Sequence, residues 1–216
     1  MSLTVDVISD VVCPWCYIGK VRLQAALDQF KKENPDSEAP TVRWHPFQLN
    51  PDLQAEGVER AEYVSRKFGD RAATVYDRVK GVGLEVGIEF AFDQIKRQPN
   101  TRKAHSLIAA CEGTHLQELM VQALFDAYFI QAQDLTNDLV LEQIAMQVGL
   151  DQQRTQEALH SPEAVLRIEE ADVQARQMGV QGVPFFVFNG KLAVSGAQSP
   201  ETLVQAMEQA MEQTSA

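Results

Sequence analysis

A Cys-Pro-Trp-Cys motif at residues 13–16 stands where an apolar strand pattern over residues 4–9 gives way to a helical pattern that runs to about residue 32. Proline is accepted at the first position of a helix, because the N–H that it lacks would have no partner there. We therefore predict that Cys13 caps the helix and that Pro14 is its first residue. One helical turn separates the two cysteines, so their sulfur atoms should lie close enough for a disulfide.

This placement of the two cysteines favours thiol–disulfide exchange. The thiolate is the reactive form of cysteine, and the free N–H groups and partial positive charge of a helix N-terminus stabilise it. We expect Cys13, at the tip of the helix, to attack, and Cys16, deeper in the helix, to resolve the mixed disulfide. Pro14 and Trp15 tune the site without adding a cation, and Asp10 opposes the thiolate. We also expect Trp15 to form an apolar docking surface at the helix tip.

Two other uses of the motif fit the sequence less well. A structural zinc site takes four ligands, and the rest of the chain offers Cys111 and four histidines that have no paired ligand spacing (His45, His105, His115 and His160). We therefore predict no metal site. A purely structural disulfide would close a very small loop and constrain the unfolded chain little. Cys111 lies on the apolar stripe of a predicted helix, so we interpret it as a buried structural thiol.

Composition and charge narrow the classes of partner. The chain has 216 residues and a formal net charge of −11, which disfavours binding to nucleic acids and to anionic membrane surfaces. No run of residues is long and apolar enough for a transmembrane helix. Three cysteines, two of them in one motif, are not a secreted disulfide framework, and the first residues lack a signal-peptide pattern. We expect a cytoplasmic protein, and the oligomeric state stays open.

Hydrophobic periodicity divides the chain into three segments. Residues 1–50 form a βαβ unit whose second strand, over 41–49, carries Pro46 and should therefore lie at an edge of the sheet or contain a bend. Residues 51–178 are predicted as an all-helical insertion, with a break at a cluster of three glycines (Gly81, Gly83 and Gly87). Residues 179–216 return to strands, with Asn189-Gly190 as a hairpin turn, and end in a helix after Ser199-Pro200. We predict that the first and last parts form one discontinuous domain.

Several sequence blocks together resemble the DsbA-like form of the thioredoxin fold, in its FrnE-type cytoplasmic branch. These blocks are CPWCYIG at 13–19, FQLNP at 47–51, Asn100-Thr101 with Ala104-His105, GVPFF at 182–186 and SGAQ at 195–198. The resemblance implies an α/β thioredoxin fold with a large all-helical insertion. It also implies a disulfide oxidoreductase that acts on protein or peptide thiols and needs no bound cofactor.

The same resemblance implies further site residues. It implies a cis peptide bond between Val183 and Pro184, beside the active-site cysteines, so that the main chain of Val183 can pair with an extended substrate. By position it also implies substrate contacts for Asn50 and for Gln198, and it suggests one for His105, which can transfer a proton near neutral pH. Without the resemblance, residues 182–184 would merely begin an edge strand.

Two alternatives to disulfide exchange stay open. Kappa-class glutathione transferases and 2-hydroxychromene-2-carboxylate isomerases share this frame, bind glutathione and carry a serine in the place of Cys13. Asn50 and Val183 match their glutathione contacts, whereas Ala197-Gln198 replaces their Ser-Asp pair. Glutathione is therefore a candidate redox partner or cosubstrate. The second alternative is a non-catalytic partner-binding or holdase protein that uses the helical insertion and the groove around Trp15.

Overall fold

The computed structural model describes residues 3–215, with side chains described as far as residue 213. A parallel βαβ unit opens the chain: β1 (Thr4–Ser9), α1 (Pro14–Glu33) and β2 (Thr41–Pro46). The chain closes with an antiparallel hairpin of β5 (Phe185–Phe188) and β6 (Leu192–Ser195), followed by α9 (Pro200–Ser215). The strands form one mixed sheet in the order β2-β1-β5-β6. The strand with Pro46 therefore lies at an edge, as predicted.

Alternation along the strands places one apolar face of the sheet against α1. Val5 and Val7 are buried, and Val7 is the cross-strand partner of Phe186, which is also buried. The ring of Phe186 reaches Gly19 of α1. Helix α9 packs against α1 and adds buried residues such as Met207 to the same apolar cluster. Phe185 points to the opposite face and is only half-buried, because alternate strand residues face opposite sides.

The segment between β2 and β5 is mainly helical. Its helices are α2 (Arg60–Phe68), α3 (Ala72–Glu85), α4 (Arg102–Ala110), α5 (Leu116–Phe129), α6 (Asp138–Val148), α7 (Gln152–His160) and α8 (Pro162–Gln177). Short 3₁₀ turns occur at Gly69–Arg71 and Phe92–Gln94. The segment also contains a two-residue antiparallel pair, β3 (Val58–Glu59) with β4 (Arg97–Gln98). A thioredoxin fold with a helical insertion, as predicted, is therefore present. The insertion is not all-helical, however, because this short strand pair lies within it.

The predicted helix break at the three glycines is wrong for two of them. Helix α3 runs through Gly81 and Gly83 and ends before Gly87, which has a φ of +80°. Gly83 serves a close contact instead, because a Cβ atom there would lie 2.5 Å from the ring of Phe90. Gly83 within the helix thus reflects close packing, and only Gly87, with its positive φ, marks the end of the helix.

The larger of two buried apolar clusters joins residues of the sheet, of α1 and α9, and of the helical segment, and the smaller one comprises Ile8, Phe47, Ala175 and Val180. The division of the chain into domains at 1–50 with 179–216 and at 51–178 stays a prediction. Across residues 3–215, no helix combines the length and the apolar character that a membrane crossing requires.

Candidate active site

The turn between β1 and α1 holds the two cysteines at a helix N-terminus. Cys13 is the N-cap, with φ −95° and ψ 110°, and Pro14 is the first helical residue. The N–H of Cys13 donates to the carbonyl oxygen of Asp10 at 3.0 Å, which closes the turn. The N–H groups of Cys16 and Tyr17 then donate to the carbonyl oxygen of Cys13 at 3.0 and 3.3 Å. Both cysteines are free thiols.

The two thiols are less different in exposure than we expected. Cys13 is 4% exposed and Cys16 is 1% exposed, and the carbonyl oxygen of Val183 lies against the sulfur of Cys13. Burial, together with the neighbouring Cys13, raises the pKa of the Cys16 thiol, while the Ser9 hydroxyl and the Asp10 backbone oppose this rise. Cys16 is thus held as the thiol, a form that suits a resolving cysteine.

Residues 183 and 184 lie directly against the cysteine motif. The Sγ atom of Cys13 lies 3.6 Å from the carbonyl oxygen of Val183, to which the thiol can donate. The Val183–Pro184 peptide bond is cis. The carbonyl oxygen of Pro184 accepts from the N–H of Gly196 at 2.8 Å, which ties this segment to the end of β6. The structure therefore brings together Cys13, Val183 and Pro184.

Trp15 stands between the two cysteines on the first turn of α1. Its side chain is half-buried and packs against the apolar core, so only part of the ring reaches solvent. We had expected an exposed docking surface. The ring can serve as a docking surface only over this exposed part, because the fold uses the remainder for packing.

His105 lies beneath the cysteine turn and not at the surface. It is 3% exposed, and its Nε2 atom lies 3.3 Å from Oδ1 of Asp10, which is itself fully buried. The other carboxylate oxygen of Asp10 accepts from the N–H of Leu49 at 2.8 Å. The expected direct contact of His105 with substrate is therefore not available in this conformation. The pair instead joins the cysteine turn, the end of β2 and helix α4.

Asn50 and Gln198 occupy different surroundings. Oδ1 of Asn50 accepts from the hydroxyl of Tyr63 at 3.1 Å, while its Nδ2 atom is buried and has no partner in the described residues. Gln198 is exposed, and its side-chain amide donates to the carbonyl oxygen of Ser195 at 2.8 Å. No hydrogen bond links Gln198 to the cysteine motif among residues 3–213. Its role in substrate binding stays a prediction.

Tyr17 is a residue of this site that sequence reasoning left without a role. Its hydroxyl donates a short hydrogen bond to Asp126 and accepts one from Gln122 at 3.0 Å. Its ring stacks on Phe125 with centroids 5.0 Å apart. Burial, reinforced by Asp126, raises the pKa of Tyr17 well above the ordinary tyrosine range. Tyr17 thus fastens the helix that carries both cysteines to α5. The only sequence signal was its place directly after Cys16.

Similarity to known proteins agrees with this geometry. The DSBA-like thioredoxin domain family matches residues 4–208. A probable DsbA oxidoreductase from Streptomyces coelicolor is 26% identical, with a TM-score of 0.86 over 97% of this chain and 90% of that one. A 2-hydroxychromene-2-carboxylate isomerase shows 17% identity and a TM-score of 0.68, with 98% of each chain covered. The cytosolic disulfide reductase DsbM from Pseudomonas aeruginosa, solved with GSH, shows 15% identity and a TM-score of 0.63, with 98% of each chain covered.

The last two similarities show a shared fold and no more. The family match is stronger evidence, since it extends over nearly the whole chain and includes the strand, turn and helix that hold Cys13 and Cys16. This chain therefore belongs to the DSBA-like thioredoxin domain family.

Proposed function

We propose that this protein is a thiol–disulfide oxidoreductase that exchanges disulfides with protein or peptide thiols. The observation that carries the proposal is the position of Cys13 Sγ, at the N-terminus of a 20-residue helix and 3.6 Å from the Val183 carbonyl oxygen. The helix terminus favours the Cys13 thiolate, and Cys16 follows one turn later. The site can then accept and release a substrate sulfur without a metal or bound cofactor.

In the reducing direction, the Cys13 thiolate attacks one sulfur of a substrate disulfide. A Cys13–substrate bond forms, the substrate S–S bond breaks, and the released thiolate takes up a proton. Cys16 then gives up its proton and attacks Cys13 Sγ. The second substrate thiol leaves, and Cys13 and Cys16 are left as a disulfide, so two electrons have passed to the substrate. The oxidising direction is the reverse of these steps.

The segment before Pro184 supplies a site for an extended chain. Val183 presents its main chain beside Cys13, and an extended peptide could pair with it as an added strand. Such main-chain pairing would give low sequence specificity, as a general disulfide exchanger requires. We further propose glutathione as a redox partner. We also propose the cytoplasm as the site of action, as in the FrnE-type branch that the sequence resembles.

Equilibration in buffers of graded reduced-to-oxidised glutathione ratio tests the proposal. Intact mass at each ratio would report the dithiol, the intramolecular disulfide and any glutathione adduct. We expect the mass of the protein to fall reversibly by that of two hydrogen atoms, with one midpoint along the series of glutathione ratios. Cys111 is buried and serves as an internal control, since it should stay unmodified throughout. A protein that never loses two hydrogens would exclude the proposed activity.

Variants of the two cysteines assign their roles. Cys13→Ser should abolish exchange, because the attacking sulfur is gone. Cys16→Ala should instead accumulate Cys13-linked mixed disulfides, because the resolving thiol is gone. Cys111→Ala is the matched control and should leave the midpoint unchanged. If Cys13→Ser and Cys16→Ala trapped mixed disulfides equally, the roles assigned to the two cysteines would be contradicted. If the protein kept its activity in Cys13→Ser, a non-catalytic role would be favoured.

A glutathione-dependent isomerase or transferase is the second candidate. The buried Nδ2 atom of Asn50, which lacks a partner in the described chain, favours it, because a bound peptide carbonyl could accept from this amide. Against it stand Cys16 and the replacement of a Ser-Asp pair by Ala197-Gln198. A stable Cys13–glutathione adduct that never closes to the intramolecular disulfide, and that is weakened in Asn50→Ala, would favour this candidate.

A further inference from the structure

Arg60, the first residue of α2, is a buried cation that forms no ion pair with any of the described residues. Arg60 is 8% exposed, and no carboxylate oxygen in the described residues lies within 4.0 Å of its guanidinium. Other buried ionisable residues have such partners: Lys20 with Glu118 at 2.6 Å, Asp172 with Arg176 at 2.9 Å, and Asp10 with His105 at 3.3 Å. Burying an unpaired charge is costly, so a missing counter-ion calls for an explanation.

The groups that contact the guanidinium of Arg60 are neutral. One guanidinium nitrogen donates to Gln98 Oε1, and another donates to the hydroxyl of Tyr76 at 2.7 Å. The guanidinium carbon also lies 5.5 Å from the ring centroid of Tyr63 and 5.6 Å from that of Tyr76. Burial raises the pKa of Tyr76, so that hydroxyl stays neutral as well. These dipoles and rings orient the guanidinium but leave its charge uncompensated.

Arg60 and Tyr76 line a cleft of about 430 Å³ between α2, α3 and the Phe92–Gln94 turn. An apolar wall and several charged side chains complete it: Val64, Phe92, Ile95, Lys96, Glu59 and Asp93. Asp93 is already paired with Lys80 at 2.8 Å. Glu59 is therefore the only lining carboxylate in the described residues without an ion-pair partner, and it shares the cleft with the two cations Arg60 and Lys96.

We propose that this cleft binds a small organic anion. Its carboxylate would supply the missing counter-charge to Arg60 and Lys96, and its apolar body would rest on Val64, Phe92 and Ile95. A carboxylate and a guanidinium form paired, charge-assisted hydrogen bonds, which are the strongest available to Arg60. This site is separate from the cysteines and does not depend on the proposed redox activity.

Titration of the full-length protein with cyclohexanecarboxylate tests the proposal, with binding followed by calorimetry and by NMR of the arginine side chains. Inorganic phosphate is the second arm, because it has the charge but no apolar body, and sodium chloride controls for ionic strength. We expect saturable binding of cyclohexanecarboxylate and weaker binding of phosphate. Equal or tighter binding of phosphate would overturn the organic class of ligand, and saturable binding of neither would overturn the site.

Variants at two exposed positions test the location without disturbing the core. Lys96→Gln should weaken binding by roughly two- to fivefold, because one attractive surface charge is lost. Glu59→Gln should tighten binding by a similar factor, because a carboxylate that competes for Arg60 is removed. Lys191→Gln, which lies outside the cleft, is the control. Unchanged affinity in both cleft variants would place any binding elsewhere and overturn the proposal.

Arg60→Gln tests the central residue. It should abolish binding, since it removes the charge that the anion compensates. The same variant should fold, because no buried ion pair is broken. Binding that persists in Arg60→Gln would contradict the role of Arg60. If Arg60→Gln proves unfolded, the opposite shifts of Lys96→Gln and Glu59→Gln decide the question.

Discussion

Gly19 of α1 and Pro184 before β5 are in such close contact that a side chain at Gly19 would collide with the proline ring. A Cβ atom on Gly19 would lie 2.9 Å from Cγ of Pro184 and 3.3 Å from the ring of Phe186. The glycine therefore lets the segment before β5 approach the helix that carries both cysteines. This contact helps to place the Val183 carbonyl oxygen 3.6 Å from Cys13.

Gly19→Ala should lower the free energy of unfolding by about 1–3 kcal/mol, because a methyl group is forced into a filled space. It should also shift the glutathione redox midpoint, because residues 183–184 must move away from Cys13. Gly81→Ala is the matched control, since nothing lies within 4 Å of its added Cβ. That helical substitution should raise stability by about 0.5–1 kcal/mol. Urea unfolding measures both changes, and equal effects would contradict the close contact.

Asp10→Asn tests the buried contact with His105. The substitution removes the charge that faces His105 and weakens the acceptor for the Leu49 N–H, so we expect a loss of about 1–3 kcal/mol. Hydrogen exchange of the Leu49 amide should accelerate, which reports loss of this particular bond. Asp93→Asn removes an exposed carboxylate paired with Lys80 and should leave stability nearly unchanged. Unaltered exchange at Leu49 would show that Asp10 does not hold the turn.

Gln117→Ala tests how the outer edge of the sheet is closed. The side-chain amide of this buried residue accepts from the N–H of Trp44 at 3.1 Å and donates to the carbonyl oxygen of Trp44 at 3.3 Å. It thus occupies the place of a neighbouring strand on β2. Its removal should cost about 1–3 kcal/mol, because buried backbone groups lose their partners. Gln24→Ala, on the exposed face of α1, should have little effect, and unchanged protection of the Trp44 amide would contradict this role.

Stability of the reduced protein should fall as pH rises above about 8.5. Burial raises the pKa of Cys16, and burial also raises those of Tyr17 and Tyr128. The unfolded chain releases protons near pH 8.5 from cysteine and near pH 10 from tyrosine, roughly, while the folded chain retains them. Proton release therefore favours the unfolded state. The stability that these groups contribute is complete below their pKa values in the unfolded chain and is lost as pH rises towards their pKa values in the folded protein.

Urea unfolding from pH 7 to pH 10.5 under reducing conditions measures this decline. Cys16→Ala should reduce the slope of the first part of the curve, between about pH 8.5 and 9.5, where unfolded cysteine ionises. A smaller slope should remain there, because burial also raises the pKa of Cys111. Tyr17→Phe should flatten the later part, although it also loses the bond to Asp126 at every pH. A curve that stays level up to pH 10 in the parent protein would show that these groups are not retained as neutral forms.

Local features of this protein could be predicted from the sequence. The strand, turn and helix around Cys13, the edge position implied by Pro46 and the hairpin at Asn189-Gly190 all depend on neighbouring residues and their backbone preferences. Asn189 and Gly190 have φ values of +50° and +67°, as a tight hairpin requires. The helices of residues 51–178 follow from apolar periodicity in the same way.

The tertiary structure decided which distant side chains meet. His105 and Asp10 are 95 residues apart in the chain, and only the packing of α4 beneath the cysteine turn makes them partners. Arg60 shows the same limit, since its sequence neighbours include Glu59 and Glu62, yet neither pairs with its guanidinium. Periodicity indicates which face of an element is buried, but the partner of a buried polar group depends on how separate elements cross. Contacts of this kind therefore required the folded structure.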